Sequence, residues 1–180
     1  DGITGEAVDG EVEDYKVTIT KAVKTAMSLG NFVWLDGNQD GLQSTGEYGL
    51  VGAVVTLINA DGTVARDLNG LVVAAQTIDA SGAYKFTNLP EGDYIVKIVP
   101  PAGYLVTSGG ADANTDTNDK DNNCVANNNG AQTLAVKLTA GTEPTADGDD
   151  ANGNMTVDCG FYQSKTPLYS LGNQVWVDDG

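Results

Sequence analysis

The chain has 180 residues, 41% of them hydrophobic, and carries 25 acids against nine bases, for a formal charge of −16. That length can bury a substantial core, and that charge makes nucleic acid and anionic membrane surfaces poor partners. With no histidine anywhere, Ser-His-Asp and Cys-His catalytic arrangements are excluded. No apolar run is long enough to span a bilayer, and no signal peptide is visible. The chain starts at Asp1 without Met and reads as a mature product or a piece of something longer.

Taken in order, Gly10-Glu-Val-Glu-Asp-Tyr15 leads into Lys16–Thr20, which alternates like a strand. It reads as the last strand of a preceding module, followed by a linker over Lys21–Met27. Leu29–Leu35 is aromatic and β-branched, which favours a strand. Residues 36–47 then read Asp-Gly-Asn-Gln-Asp-Gly-Leu-Gln-Ser-Thr-Gly-Glu, a twelve-residue loop with oxygen ligands at calcium spacing. Asp36, Asn38 and Asp40 occupy positions 1, 3 and 5, and Gly41 falls where the chain must turn sharply. Leu42 offers a backbone carbonyl, Ser44 a direct or water-mediated contact, and Glu47 a bidentate closing carboxylate. The flanks lack a helical period, so the loop bridges strands and is not an EF-hand. The alternative reading is a metal-free turn, since Asn, Asp and Gly dominate turns for backbone reasons alone.

Further strands are expected over Ala53–Asn59, Val72–Ile78, Ala83–Thr87, Asp93–Val99, Gln132–Leu138 and Met155–Tyr162, with turn signals between them. Tyr94, Val96 and Ile98 alternate with Ile95 and Lys97, as one buried face requires. Short strands at this spacing indicate an all-β sandwich or barrel. The long connection from Gly109 to Gly130 crowds Asp112, Asn114, Asp116, Asn118, Asp119 and Asp121 together, a second candidate cation site. Asp147, Asp149 and Asp150 form a third acidic turn, to which no ion is assigned. Of the 25 acids 19 are Asp, a poor residue in helices and strands, so the negative charge concentrates in loops, where cations would relieve it. Cys124 and Cys159 are the only cysteines; they read as a disulfide in an oxidising compartment, the alternative being two buried thiols. Asn154-Met-Thr156 matches a glycosylation acceptor, a triplet too short to carry a role on its own.

An internal repeat marks the ends. Ser28–Asp36 returns as Ser170–Asp178 with seven of nine positions identical, 142 residues later. The expected organisation is a preceding terminal strand and linker over 1–24, one module over 25–164, and a linker with the next module's opening strand over 165–180.

The stretch from Leu29 to Gln43, with Glu47 and Gly52-Ala-Val-Val-Thr-Leu57, resembles the opening of an SdrD-type B domain. These are the B repeats of serine-aspartate-repeat adhesins and their relatives in secreted bacterial proteins. The likeness continues through Gly82–Phe86, Leu89–Tyr94, Pro101–Tyr104, Asp116–Asp121 and Val157–Tyr162, and Gly10–Tyr15 resembles the GEVED motif. The resemblance implies a Greek-key, prealbumin-like (Ig-like) β-sandwich of about seven strands, with Ca2+ bound between strands. It also implies repeats that act as a stiff extracellular stalk on a bacterial surface. Calcium roles transfer to Asp36, Asn38, Asp40, Leu42 and Glu47, and to Asp116, Asp119 and Asp121 of the second loop. The Cys124/Cys159 pair departs from the family, and the first strand lacks the Lys that an isopeptide crosslink would use.

Expected partners are neighbouring repeats of the same chain or neighbouring subunits, with neither nucleic acid nor membrane insertion. A filament or surface-layer protomer that exchanges its terminal strands is one alternative. A ligand-binding adhesin domain is another, although Lys and Arg together number only nine and no Arg/aromatic cluster marks a hot spot. Catalysis is not expected: neither a phosphate loop nor a nucleophile elbow occurs.

Overall fold

Alternating apolar residues along Met27–Leu35 and Gly92–Val99 set the two central strands of a sandwich. The computed structural model describes residues 23–115 and 120–165. The GEVED-like segment, the strand expected at Lys16–Thr20 and the repeat copy at Ser170–Asp178 lie outside the described residues. Among those described, eleven strands and no helix occur: β1 Met27–Leu35, β2 Val54–Asn59, β3 Gln76–Thr77, β4 Ala83–Leu89, β5 Gly92–Val99, β6 Tyr104–Val106, β7 Cys124–Asn127, β8 Gly130–Thr133, β9 Val136–Leu138, β10 Gly153–Asn154 and β11 Cys159–Gln163.

One sheet centres on β1. Antiparallel β4 lies along one edge, β10 and β11 run parallel along the other, and β6 pairs with β11. Between β10 and β11 the ladder continues through Val157, which bonds to Gly30 and Asn31, so residues 153–163 track β1 almost without a break. The second sheet runs β3-β2-β5-β8-β7, with β9 also on β5. Leu29, Val33, Phe86 and Phe161 from the first sheet meet Val55, Leu57, Tyr94, Val96 and Ile98 from the second in one sealed core. Each of these nine side chains is at most 2% exposed, and burial of such side chains is worth roughly 1.5–3 kcal/mol apiece before chain entropy is subtracted. The all-β sandwich read from the sequence is therefore observed, as is the inward face of Tyr94, Val96 and Ile98.

Several boundaries differ from expectation. The strand expected over Val72–Ile78 shrinks to Gln76–Thr77, because Val72 instead bridges Arg66 across a turn and stays more than half exposed. Gln132–Leu138 splits into β8 and β9, which pair with different stretches of β5. Met155–Tyr162 is broken ahead of Cys159, and Tyr104–Val106 and Cys124–Asn127 are additional short strands. The long connection consequently ends at Cys124 rather than Gly130.

Two features tie the sheets beyond their shared core. The disulfide joins Cys124 at the start of β7 to Cys159 at the start of β11, with Cα atoms 5.3 Å apart. It therefore crosses from one sheet to the other. On the opposite side, the Gln76 amide on β3 reaches the β4 edge, donating to Lys85 O at 2.8 Å and accepting from Lys85 N at 3.2 Å. That blunts an edge otherwise open to pairing with another chain.

The third acidic turn clasps the first sheet. Asp149 Oδ2 accepts from Lys85 Nζ at 2.7 Å and from Ser28 Oγ at 2.6 Å. Partial burial pushes this carboxyl up, but the Lys85 and Ser28 hydrogen bonds, the Asp150 N–H and the Lys85 charge outweigh it and hold the pKa at about 2. A depressed folded pKa contributes stability above the unfolded value of 3.8, lost as pH falls toward about 2. Lys85 is 45% exposed, so solvent screening limits the neutral-pH contribution to about 0.5–1 kcal/mol. Urea titrations of Asp149→Asn should show that deficit at pH 7 and a shrinking difference from the parent chain between pH 4 and pH 2.

Candidate metal centre

The twelve-residue loop starts where β1 ends. Asp36 is 1% exposed, and its backbone N–H donates to Phe161 O of β11 at 2.7 Å. Its carboxylate fixes the loop: Oδ1 accepts from Gln39 N at 2.6 Å, and Oδ2 from Gly41 N at 3.0 Å and Thr107 Oγ1 at 2.5 Å. Gly41 has φ +77° and its Cα faces the Ser108 carbonyl so closely that a Cβ would collide with it. A glycine is thus required at the position where the sequence placed the sharp turn.

The other acids organise the same loop. Asp40 accepts from Leu42 N and from the Asn38 amide, both at 2.8 Å, while Asn38 Oδ1 accepts from Asp40 N at 3.1 Å. Glu47 closes the loop by accepting from Gly37 N at 2.8 Å and Ser44 N at 2.9 Å. Each carboxylate has about four acceptor positions. Asp40 and Glu47 use two apiece here, and both lie at the surface or half-buried. The donor set (carboxylates, an amide oxygen, a hydroxyl and a carbonyl) is all hard oxygen, the chemistry of calcium and not of zinc or copper. Among the described residues no three Asp, Glu, Cys or His side chains are grouped closely enough to hold an ion on their own. An ion in this loop would need the Asn38 amide and the Leu42 carbonyl as well, and the residues present fit it.

The two acidic loops, far apart in sequence, meet. Leu42 bridges Asp121, and Gln43 N donates to Lys120 O at 2.6 Å. The front of the second loop is held elsewhere. Asn114 Oδ1 accepts from Lys137 N at 2.6 Å, its amide donates to Ala135 O at 2.8 Å, and Asp112 accepts from Asn114 at 2.7 Å. Asp112 and Asn114 therefore sit against β9 in the second sheet, whereas Asp121 sits beside the first loop. Asp116 and Asp119 lie outside the described residues.

Two residues that sequence reading did not single out build the platform beneath both loops. Thr107 follows β6; its hydroxyl donates to Asp36 and its N–H to Gly160 O at 2.9 Å. Asn122 is 1% exposed and is saturated: its amide donates to Thr107 O at 3.0 Å and Cys124 O at 2.9 Å, and its oxygen accepts from Cys124 N at 3.1 Å and Gly160 N at 3.2 Å. Asn123 lies alongside, exchanging bonds with the Asp158 backbone at 2.7 and 2.8 Å. Gly160 must lack a side chain, since a Cβ there would strike the buried Trp34 indole and the Thr107 methyl. The only forward signal for these positions was the polar pair immediately before Cys124.

The remaining acids read differently. Glu143 caps a turn by accepting from Thr139 N at 2.6 Å, and Asp147 ties the acidic turn to the closing run by accepting from Met155 N at 2.7 Å. Asn154 of the glycosylation triplet is 1% exposed and donates to Ala113 O at 3.2 Å, which leaves it closed to modification in the folded chain. Replacing Thr107 by Val removes a charge-assisted hydrogen bond to a buried carboxylate. It should cost about 1.5–3 kcal/mol of unfolding free energy, read by urea denaturation in chelator.

Comparison with known proteins places this geometry in a family. Residues 27–161 match the SdrD B-like domain. Over 151 residues the chain is 41% identical to serine-aspartate repeat-containing protein E of Staphylococcus aureus (strain USA300), and 40% identical to bone sialoprotein-binding protein of S. aureus (strain MRSA252). Each match covers 84% of this chain but only 10% of the relative, so the chain spans about a tenth of the proteins it resembles. Among solved structures it is similar to GBS52, the minor pilin of Streptococcus agalactiae, at 18% identity and TM-score 0.41, over 84% of this chain and 50% of that one.

Proposed function

The chain belongs to the SdrD B-like domain family, and from that premise we propose that it is a calcium-stabilised spacer module of an extracellular bacterial surface protein. The observation that carries this reading is the parallel pairing of the first and last strands. β1 and residues 153–163 run in the same direction, with Ser28 beside Gly153 and Leu35 beside Phe161. The chain therefore arrives at one end of the sandwich and leaves at the other. At about 3.3 Å per residue along β1 and onward to Gln163, each module would add roughly 30 Å of length. The sequence of Ser28–Asp36 recurs at Ser170–Asp178, seven residues after Gln163, so consecutive modules would line up end to end. Its natural partners are then the neighbouring repeats.

Calcium is supported by the oxygen donor set of Asp36, Asn38, Asp40, Leu42, Ser44 and Glu47, and by the meeting of that loop with Asp121. Cations there would offset part of the −16 charge and lock loops now held by hydrogen bonds alone. A disulfide fits an oxidising, extracellular setting. The filament reading draws on terminal segments outside the described residues, and the ligand-binding reading on the name of a relative matched over a tenth of its length. Neither has a specific observation in its favour.

Calcium at a hundredfold excess over its Kd should stabilise the fold by about 2.7 kcal/mol, which raises Tm by roughly 10 °C relative to chelator. Asp40→Ala with Glu47→Ala should remove most of that difference. A calorimetric scan that is the same in calcium and in EDTA would refute the calcium part of this reading. Small-angle scattering of tandem modules would test the spacer part through growth of maximum dimension by roughly 30 Å per repeat.

A further inference from the structure

We propose that the Cys124–Cys159 disulfide is a positioning element of the calcium centre: it holds residues 120–123 against the first acidic loop, so its redox state sets calcium affinity. The inference rests on the calcium reading above and concerns how that same site is controlled.

The geometry is continuous from the sulfur atoms to the loop contact. Cys159 stands beside Val33 in the first sheet, and Cys124 begins β7 in the second. Immediately before Cys124, Asn122 and Asn123 run along residues 158–160, joined by three hydrogen bonds and connected side-on to Cys124 itself. Lys120 and Asp121, directly ahead of that pair, make the backbone contacts to Gln43 and Leu42 of the first loop. The same Asn122 also fixes Thr107, whose hydroxyl holds Asp36, the first ligand position. The disulfide thus clamps one end of a segment whose other end forms a wall of the candidate centre. Cut the S–S bond and this segment is held to β11 by hydrogen bonds alone.

Both cysteines are at most 1% exposed, so a dithiol reductant reaches them only when this segment lifts from β11. A thiolate of the reductant attacks one protein sulfur, the S–S bond breaks, and the mixed disulfide is resolved by the reductant's second thiol. The two protein sulfurs gain two electrons and two protons, while the dithiol is oxidised to a cyclic disulfide. Calcium held between the first loop and Asp121 would oppose that lifting. Linkage then makes the effect reciprocal: the factor by which the disulfide tightens calcium equals the factor by which calcium shifts the thiol–disulfide equilibrium.

The test uses the whole chain. Calcium affinity is measured by titration calorimetry for the oxidised form and for Cys124→Ser/Cys159→Ser. Independently, the parent chain is equilibrated in dithiothreitol redox buffers with calcium or with EDTA, which needs no variant to fold. The expected result is calcium binding weakened on the order of tenfold without the disulfide, within the usual range for coupled sites. The same factor should appear as a shift of the redox equilibrium toward the disulfide in calcium. Equal affinities with an unshifted equilibrium would overturn the inference while leaving the calcium centre standing. Absence of calcium binding to the oxidised chain would overturn the calcium reading and this inference with it. If the disulfide merely braces the fold, its removal would lower Tm equally in calcium and chelator and would leave both readouts unmoved.

Discussion

The structure depends on one ladder, the parallel run of residues 153–163 along β1. Unlike hairpin pairs, parallel neighbours cannot be joined by a tight turn, so the chain must build nearly the whole sandwich before it closes. Every later feature inherits this. Tyr84 of β4, buried in the core, donates to Val157 O at 2.7 Å and so binds the closing strand from across β1. Asp36 hangs its loop from Phe161 O, and Thr107 and Asn122 both engage Gly160. If residues 153–163 detach, the core loses Val157 and Phe161, and the acidic loops lose their platform.

Charge is handled through dipoles far more than through ion pairs. Lys85–Asp149 is the one salt bridge among the described residues. Asp61, Asp67 and Asp79 cap turns by accepting from the N–H groups of Thr63, Leu71 and Ser81, and their pKa values are lowered. For Asp61 and Asp79 the hydroxyls of Thr63 and Ser81 lead; for Asp67 burial opposes, and bonds from Leu71, Asn88 and Asn69 outweigh it. These carboxylates stay ionised, shape their turns, and leave the net negative charge of the molecule in place. The preference for Asp over Glu follows, since the shorter side chain reaches a backbone N–H two residues on. Under this arrangement divalent cations would add to loops that already fold, drawing together charges that the turn network has positioned but not neutralised.

Most of the framework was legible in the chain. β1, β2, β4 and β5 carry enough alternating or β-branched residues to declare both strand and inward face. What escaped was set by partners instead of local pattern. Tyr104–Val106 follows two prolines and is a strand because β11 offers it an edge; Cys124–Asn127 reads as the tail of a polar loop until β8 pairs with it. Val72 looked like a strand residue on propensity, yet its neighbours close a small turn and leave it in solvent. At the candidate centre the ligand spacing of 36–47 was visible, because a single loop supplies it. Thr107 and Asn122 were not, because they come from separate elements and match no motif. The cysteine alternatives, bonded or free, were resolved only by the geometry that sets β7 beside β11.

The direction of the closing ladder also determines how a stalk built from such modules would carry load. Tension on neighbouring repeats pulls β1 from its first residue and β11 from its last, in opposite directions along adjacent parallel strands. That geometry loads the hydrogen bonds of the ladder in shear, so they resist together and do not open one after another. Cys159 is the first residue of β11, level with Val33 of β1, and its bond to Cys124 couples β11 to the second sheet at that height. Sliding β11 would therefore require moving β7 as well, together with the segment that walls the first loop. The first acidic loop lies at the end where the chain leaves, next to Phe161, and a cation held there would resist the first displacement that tension produces. Disulfide and ion would then act on the same strand in series with the ladder.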